Sequence, residues 1–308
     1  MDQSIKIYVI CHKETYIPKE QNLYPIQVGT SISNKVLPGI IHDNEGENIS
    51  DLNPDYCELT GIYWAWKNDN SDYVGIFHYR RFLILNENKN FKKYDWWKHF
   101  YNFTTLTDNV CKKIGFDGNE NELISKYDLI IPYPSEFEYR GIKSFYDSYS
   151  AYFNELDYTF KIVKELYPDY EKALLECKNG KLGYHCNMFI MKRSMYEEYC
   201  TFLFTVVNKV YDDIKKGLLI TNKKRLIGYL AEFLTGVFFI YTEKKMGGST
   251  TIKKVPGVFF KYTDGKKHTF ETYLNSLINI IRNRLILPKG SKRAILFYFI
   301  IDAIRKRK

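Results

Sequence analysis

Proline and glycine are scarce in this 308-residue chain, at 9 and 18 residues, and no tract has low-complexity composition. With 45% hydrophobic and 26% charged residues, this excludes a disordered or collagen-like chain. No stretch of 18 apolar residues occurs, so the sequence predicts no spanning helix. The N-terminus, MDQSIKIYVICHKE, has a short apolar run without a cleavage site, so no signal peptide is expected. Cysteines in C-x-x-C or zinc-finger spacing are lacking. Cys11, Cys57, Cys111, Cys177, Cys186 and Cys200 are therefore expected as buried free thiols in a reducing cytoplasm. Neither G-x-G-x-x-G nor G-x-x-x-x-G-K-[ST] occurs, which disfavours a Rossmann dehydrogenase or a P-loop NTPase. The lack of G-x-S-x-G disfavours a standard α/β-hydrolase. No two aspartates stand as D-x-D.

Aromatics, in contrast, are abundant, with 27 Tyr, 21 Phe and 4 Trp. The net charge of +9 is unevenly placed. Residues 1–250 carry 31 basic and 33 acidic side chains, and residues 251–308 carry 14 and 3. A near-neutral body with a basic tail gives no general reason to expect nucleic-acid binding by the body. The tail reads as an electrostatic site for an anionic partner.

Along the chain, short β-branched runs alternate with helical patterns. IKIYVI (5–10), Val74 to Phe77, YDLIIPYP (127–134) and YHCNMFIMKR (184–193) read as strands. A largely buried helix is expected over 54–67, with Pro54 in its first turn. Two helices are expected within 143–177. Further helices are expected over 194–214, with Ser194 as N-cap and Glu197 in a capping box, and over 223–245. A strand or extended segment follows residue 250. The alternation predicts an α/β fold with a mostly parallel central sheet flanked by helices. Ligands in such sheets sit beyond the carboxyl ends of the strands.

Polar clusters at those ends are the candidate site. His78-Tyr79-Arg80-Arg81 follows a buried strand directly. Adjacent arginines suit bidentate carboxylate or phosphate contacts. One reading pairs an arginine with a buried carboxylate such as Glu58, and the other grips a diphosphate. His78 is a candidate acid, base or hydrogen-bond donor. The acidic loop from Asp43 to Ser50 is compatible with Mg²⁺ or Mn²⁺, and equally with a solvated loop. Asn48 and Asn53 either meet a sugar or cap turns. Asn187 needs partners at the start of its strand. Glu232, a carboxylate in an apolar helix, reads either as an ion-pair partner of Arg225 or the HYRR arginines, or as a catalytic base.

The segments CHKE (11–14), YPIQVG (24–29), DNEGENIS (43–50), NPDYCELTGIYWAWKN (53–68), YVGIFHYRRFL (73–83), YDLIIPYP (127–134), HCNMFIMK (185–192) and RLIGYLAEFL (225–234) together carry a resemblance. The chain resembles a bacterial glycosyltransferase family of capsule, O-antigen and exopolysaccharide clusters. That family was long catalogued as a domain of unknown function, and some members are galactofuranosyltransferases. The resemblance implies a GT-A-like nucleotide-sugar transferase fold, with residues 1–250 as catalytic domain and 251–308 as a basic extension. It implies a UDP-sugar donor, of galactose or galactofuranose type, and a glycan or lipid-linked acceptor. His12, Lys13, Asp43, Asn48, Asn53, Tyr79, Arg80 and Arg81 are the donor-binding candidates, and Asn187 and Trp64 the acceptor-binding ones. Glu232 is the first candidate base and His78 the second. The arginines stand where many such enzymes have D-x-D, so no cofactor is certain; Mn²⁺ or Mg²⁺ at Asp43 remains open. The rival from another class is a non-catalytic carbohydrate-binding or scaffold subunit. Within the tail, AILFYFIIDAI (294–304), flanked by basic groups, is expected as an interfacial helix on the anionic inner face of the cell membrane. The chain is thus expected to be cytoplasmic and peripheral.

Overall fold

The computed structural model describes residues 3–86, 100–136, 144–245 and 250–266, with isolated positions beyond. The strands, in chain order, are β1 (Ile5–Cys11), β2 (Leu23–Gln27), β3 (Ile41–His42), β4 (Tyr73–His78), β5 (Arg81–Leu83), β6 (Phe100–Thr105), β7 (Leu129–Pro132), β8 (Ser135–Glu136), β9 (Leu182–Gly183), β10 (Phe189–Lys192), β11 (Ile252–Val255) and β12 (Gly257–Tyr262). The helices are α1 (Asn53–Tyr56), α2 (Leu59–Asn68), α3 (Asp108–Lys113), α4 (Glu120–Ile124), α5 (Phe145–Ser148), α6 (Phe153–Leu166), α7 (Glu171–Asn179), α8 (Arg193–Lys215) and α9 (Leu226–Lys245).

The main sheet has the order β11-β7-β10-β4-β1-β2-β3. β4, β1, β2 and β3 are parallel neighbours, as are β7 and β11, while β10 is antiparallel to both strands beside it. Successive side chains go to opposite faces. Tyr8, Ile10, Val74, Ile76, Leu129, Ile131, Phe189 and Met191 join one core with the long helices. Ile7, Val9, Tyr73, Phe77, Ile130 and Ile190 join a second, with α3, β5 and β12. Both faces are covered, which is why the strands read as continuous apolar runs rather than alternating ones. Gly75 opposes Ile7 across β1 and β4, and a Cβ there would lie 2.7 Å from Ile7 Cγ1.

Three differences from the sequence reading matter for the site. The helix expected over 54–67 is broken: Cys57 has φ 54°, which ends α1 and starts α2 on a new course. Ser194 does not cap α8; Lys192 occupies the N-cap position, and Glu197 accepts hydrogen bonds from Arg193 and Trp66. Residues 252–262, expected in the extension, are β11 and β12 of the sheet, so the fold runs past position 250. The segment 294–304, apart from position 296, lies outside the described residues. α9 is long and apolar enough to cross a membrane, but most of its surface is buried in the first core.

Candidate active site

A cleft of about 550 Å³ opens at the carboxyl ends of β1, β2 and β4. The strands deliver Ile10, His12, Val28 and His78 to it. The α1–α2 break delivers Asn53, Pro54, Cys57 and Glu58, and the first turns of α9 deliver Gly228, Tyr229 and Glu232. Arg225, just before α9, closes the same side.

HYRR is the tip of a hairpin. His78 pairs with Arg81 across β4 and β5, and Tyr79 and Arg80 form the two-residue turn. The Tyr79 ring meets His12 edge-on at 5.0 Å between centroids, with Lys13 Nζ at 5.4 Å and the Arg80 guanidinium at 5.1 Å. Phe259 of β12 supports both arginines, at 5.3 Å and 5.9 Å. Neither arginine has an ion-pair partner among the described residues, so the pairing of one with Glu58 is not formed. Partial desolvation, then Lys13, Arg80 and Arg225, lower the pKa of His12.

Facing the arginines are two carboxylates, and one turn orients both. Cys186 and Asn187, just before β10, have φ 77° and 39°. Such left-handed conformations are uncommon outside glycine and mark positions that the surroundings hold in place. The Cys186 N–H donates to Glu232 Oε1, and the Tyr149 hydroxyl donates to Glu232 Oε2. Burial and the neighbouring Glu232 push the Tyr149 hydroxyl pKa well up, so it stays a donor. Asn187, 1% exposed, donates from Nδ2 to Glu58 Oε1 at 2.9 Å and accepts from Thr235 at 2.8 Å. Burial, and then the charge of Glu232, raise the Glu58 pKa against the opposing pull of Asn187. The Cys186 thiol is pushed up to about 12 by burial. Glu232 therefore forms no ion pair with Arg225 or the hairpin arginines among the described residues; Arg225 Nε instead donates to Cys57 Sγ at 3.1 Å.

The same turn fixes the histidine. His78 Nε2 donates to the Cys186 carbonyl at 2.7 Å, a partner that only accepts, so Nε2 carries the proton. Burial, and then Arg81, lower its pKa to about 4. His78 is therefore neutral at pH 7, its N–H is spent, and Nδ1 is left as an acceptor toward the cleft. A ring so hard to protonate is the weaker base of the two candidates, so Glu232 stays first and His78 second.

The remaining candidates divide. Asn53 lines the cleft, but its Nδ2 is bound to the Cys57 carbonyl at 2.7 Å and to Thr60 at 3.1 Å, satisfying the broken helix. Its Oδ1 packs where a Cβ at Gly29 would fall, 2.6 Å away; Gly29 also has φ 68°. Asp43 lies outside the cleft. It is fully buried and accepts from Gly29 N–H, Thr30 N–H and Ser50 Oγ at 2.8, 3.0 and 2.6 Å. Those bonds tie the β2 and β3 loops together and do not fit a cation ligand. No group of three His, Cys, Asp or Glu side chains suited to a metal occurs among the described residues. Asn48 bonds Asn44, Gly46 and Ser50 within its own loop. Trp64 donates to the Glu45 carbonyl and packs edge-on against Tyr8, away from the cleft. Asn187 stands behind the cleft and acts through Glu58. The site also includes Glu58, Arg225, Tyr229 and Tyr149, of which the sequence points to Glu58 and Arg225 only as salt-bridge partners.

Two expected results follow from this geometry. His78 titrates near 6.5 when unfolded and about 4 when folded, so the fold favours its neutral form. Its contribution is fully present above pH 6.5 and lost as pH falls through 4. The full shift corresponds to at most about 3 kcal/mol. Thermal melting against pH should show wild type losing stability relative to His78→Gln over that window; a constant difference would contradict it. Asn187→Ala leaves a buried Glu58 oxygen without its donor and should cost about 1–3 kcal/mol in urea unfolding. A cost within error of zero would remove the turn's structural role.

The family model described as "Domain of unknown function (DUF4422)" matches residues 6–245. Among solved structures, the chain is similar to the WbbM bifunctional glycosyltransferase in its apo form, with 30% sequence identity and a TM-score of 0.76. The match covers 83% of this chain and 45% of that one, so the chain spans less than half of that protein's length. No curated protein sequence matches. These likenesses bear out the expected fold class and the family resemblance.

Proposed function

The chain belongs to the DUF4422 family, and from that premise we propose that it is a glycosyltransferase using a nucleotide-sugar donor. The observation that carries this is one cleft lined by Arg80, Arg81 and Arg225 together with Glu58 and Glu232. A transferase must hold a diphosphate leaving group, stabilise its growing charge and take a proton from an acceptor hydroxyl. The arginines supply fixed positive charge in a partly desolvated setting, where electrostatic stabilisation is strongest. Glu232, with each oxygen oriented by a donor, takes the acceptor proton. Glu58, whose pKa burial and Glu232 raise, lies beside it, and His78 Nδ1 accepts a hydrogen bond from a sugar hydroxyl. The donor is a UDP-sugar of galactose or galactofuranose type, and the acceptor a cell-surface glycan or its lipid-linked precursor. Arginines take the part that a divalent cation plays in D-x-D enzymes.

The test is a hydrolysis panel of nucleotide sugars on purified protein, with and without Mn²⁺ and with EDTA. One UDP-sugar should be turned over, with the rate unchanged by EDTA. Loss of turnover in EDTA, restored by Mn²⁺, would replace the arginine clamp by a metal. Glycan binding with no turnover of any donor, acceptor present, would make the protein a carbohydrate-binding subunit instead.

A further inference from the structure

The segment joining α8 to α9 reads KKGLLITNKKR over residues 215–225, with no acidic residue. Its tip is unusually bare. Ile220 is 92% exposed and Leu218 is 65% exposed, while Leu219 between them turns into the core. The tip is held in this form. Gly217, at φ 72°, turns the chain outward, and the Leu218 and Leu219 N–H groups donate to the Asp213 carbonyl. On the far side, Thr221 Oγ1 donates to Glu155 at 2.7 Å. Lys215, Lys216, Lys223 and Lys224 are exposed around the tip and have no ion-pair partner among the described residues.

We propose that this loop docks on an anionic lipid surface, with Leu218 and Ile220 entering the interface and the four lysines meeting headgroup phosphates. Two apolar side chains are far too little for a stable protein interface, which needs roughly 800 Å² per partner. They suit a bilayer boundary, where shallow apolar insertion adds to attraction between lysines and anionic headgroups. The same segment ends at Arg225 in the cleft wall, so docking would hold the cleft mouth beside the membrane. The inference stands without the transferase reading, and it concerns a different segment from the basic tail.

The experiment uses the full chain carrying Ile220→Trp, with vesicles of phosphatidylcholine and phosphatidylglycerol brominated in their acyl chains. Emission should be quenched about twofold more than that of wild type, which has four tryptophans of its own. Vesicles of phosphatidylcholine alone should give little quenching. Leu218→Ser with Ile220→Ser should weaken vesicle cosedimentation about tenfold or more, the loss expected from two apolar insertions. Both variants sit at exposed positions, and an unchanged melting temperature checks their folding. Cosedimentation without added quenching would assign membrane binding to another part of the chain and overturn the proposal. Absence of any vesicle binding would overturn it as well.

Discussion

Glu232→Gln is expected to lower sugar transfer by about 10²–10⁴-fold, the range for losing a positioned general base. Glutamine keeps the size of the side chain. Its oxygen still accepts from the Cys186 N–H, and its amide donates to the Tyr149 hydroxyl, which accepts as readily as it donates. The variant should therefore fold, melt near wild type and bind UDP with unchanged affinity, leaving the proton step as the loss. Tyr149→Phe keeps the carboxylate but frees one oxygen, and should cost less, about tenfold. Glu58→Gln removes the group with the raised pKa and should move the pH profile of the rate more than its maximum. Steady-state rates with the active donor check all three. A Glu232→Gln enzyme within about threefold of wild type would remove this residue from the chemistry.

Arg81→Ala is expected to lower kcat by about 10²–10³-fold, as when one preorganised electrostatic donor is removed. Arg81 begins β5, partly buried beside His78, whereas Arg80 sits in the turn and leans on Tyr79 and Phe259. Alanine at 81 also removes a charge that depresses the His78 pKa, so the imidazole should titrate measurably higher by NMR. Arg81→Lys keeps the charge but not the planar fork, and should recover only part of the rate. An unchanged rate with a shifted His78 would make Arg81 an electrostatic neighbour of the histidine and no clamp.

β1, β4, β7 and β10 were legible because each is a short apolar run buried on both faces, and α8 and α9 because their apolar patterns are long. β2, which holds Pro25, and the two-residue β3 lie in stretches whose composition reads as loop. The HYRR hairpin was legible in place, since charge directly after a buried strand falls at the sheet's carboxyl edge. The break at Cys57 was not, because a cysteine gives no sign of a left-handed conformation. Glu58 was hidden with it: within an unbroken helix its side chain has no reason to face the cleft. Asp43 misled for another reason. An acidic loop has the same composition whether its carboxylates meet a cation or backbone N–H groups, and here the N–H groups of Gly29 and Thr30 are the partners. Asn187 was recognised as a polar residue in need of partners, but its partner Glu58 is 129 positions away, and only the fold joins them.

The account turns on the cleft between the hairpin arginines and the two glutamates. A diffraction structure of the chain with UDP tests it most directly. The diphosphate should lie within hydrogen-bond distance of Arg80 or Arg81, with Glu232 open to the space beside the β-phosphate. Ordered UDP bound elsewhere on the protein, or a folded chain whose cleft stays without nucleotide at saturating UDP, would contradict it.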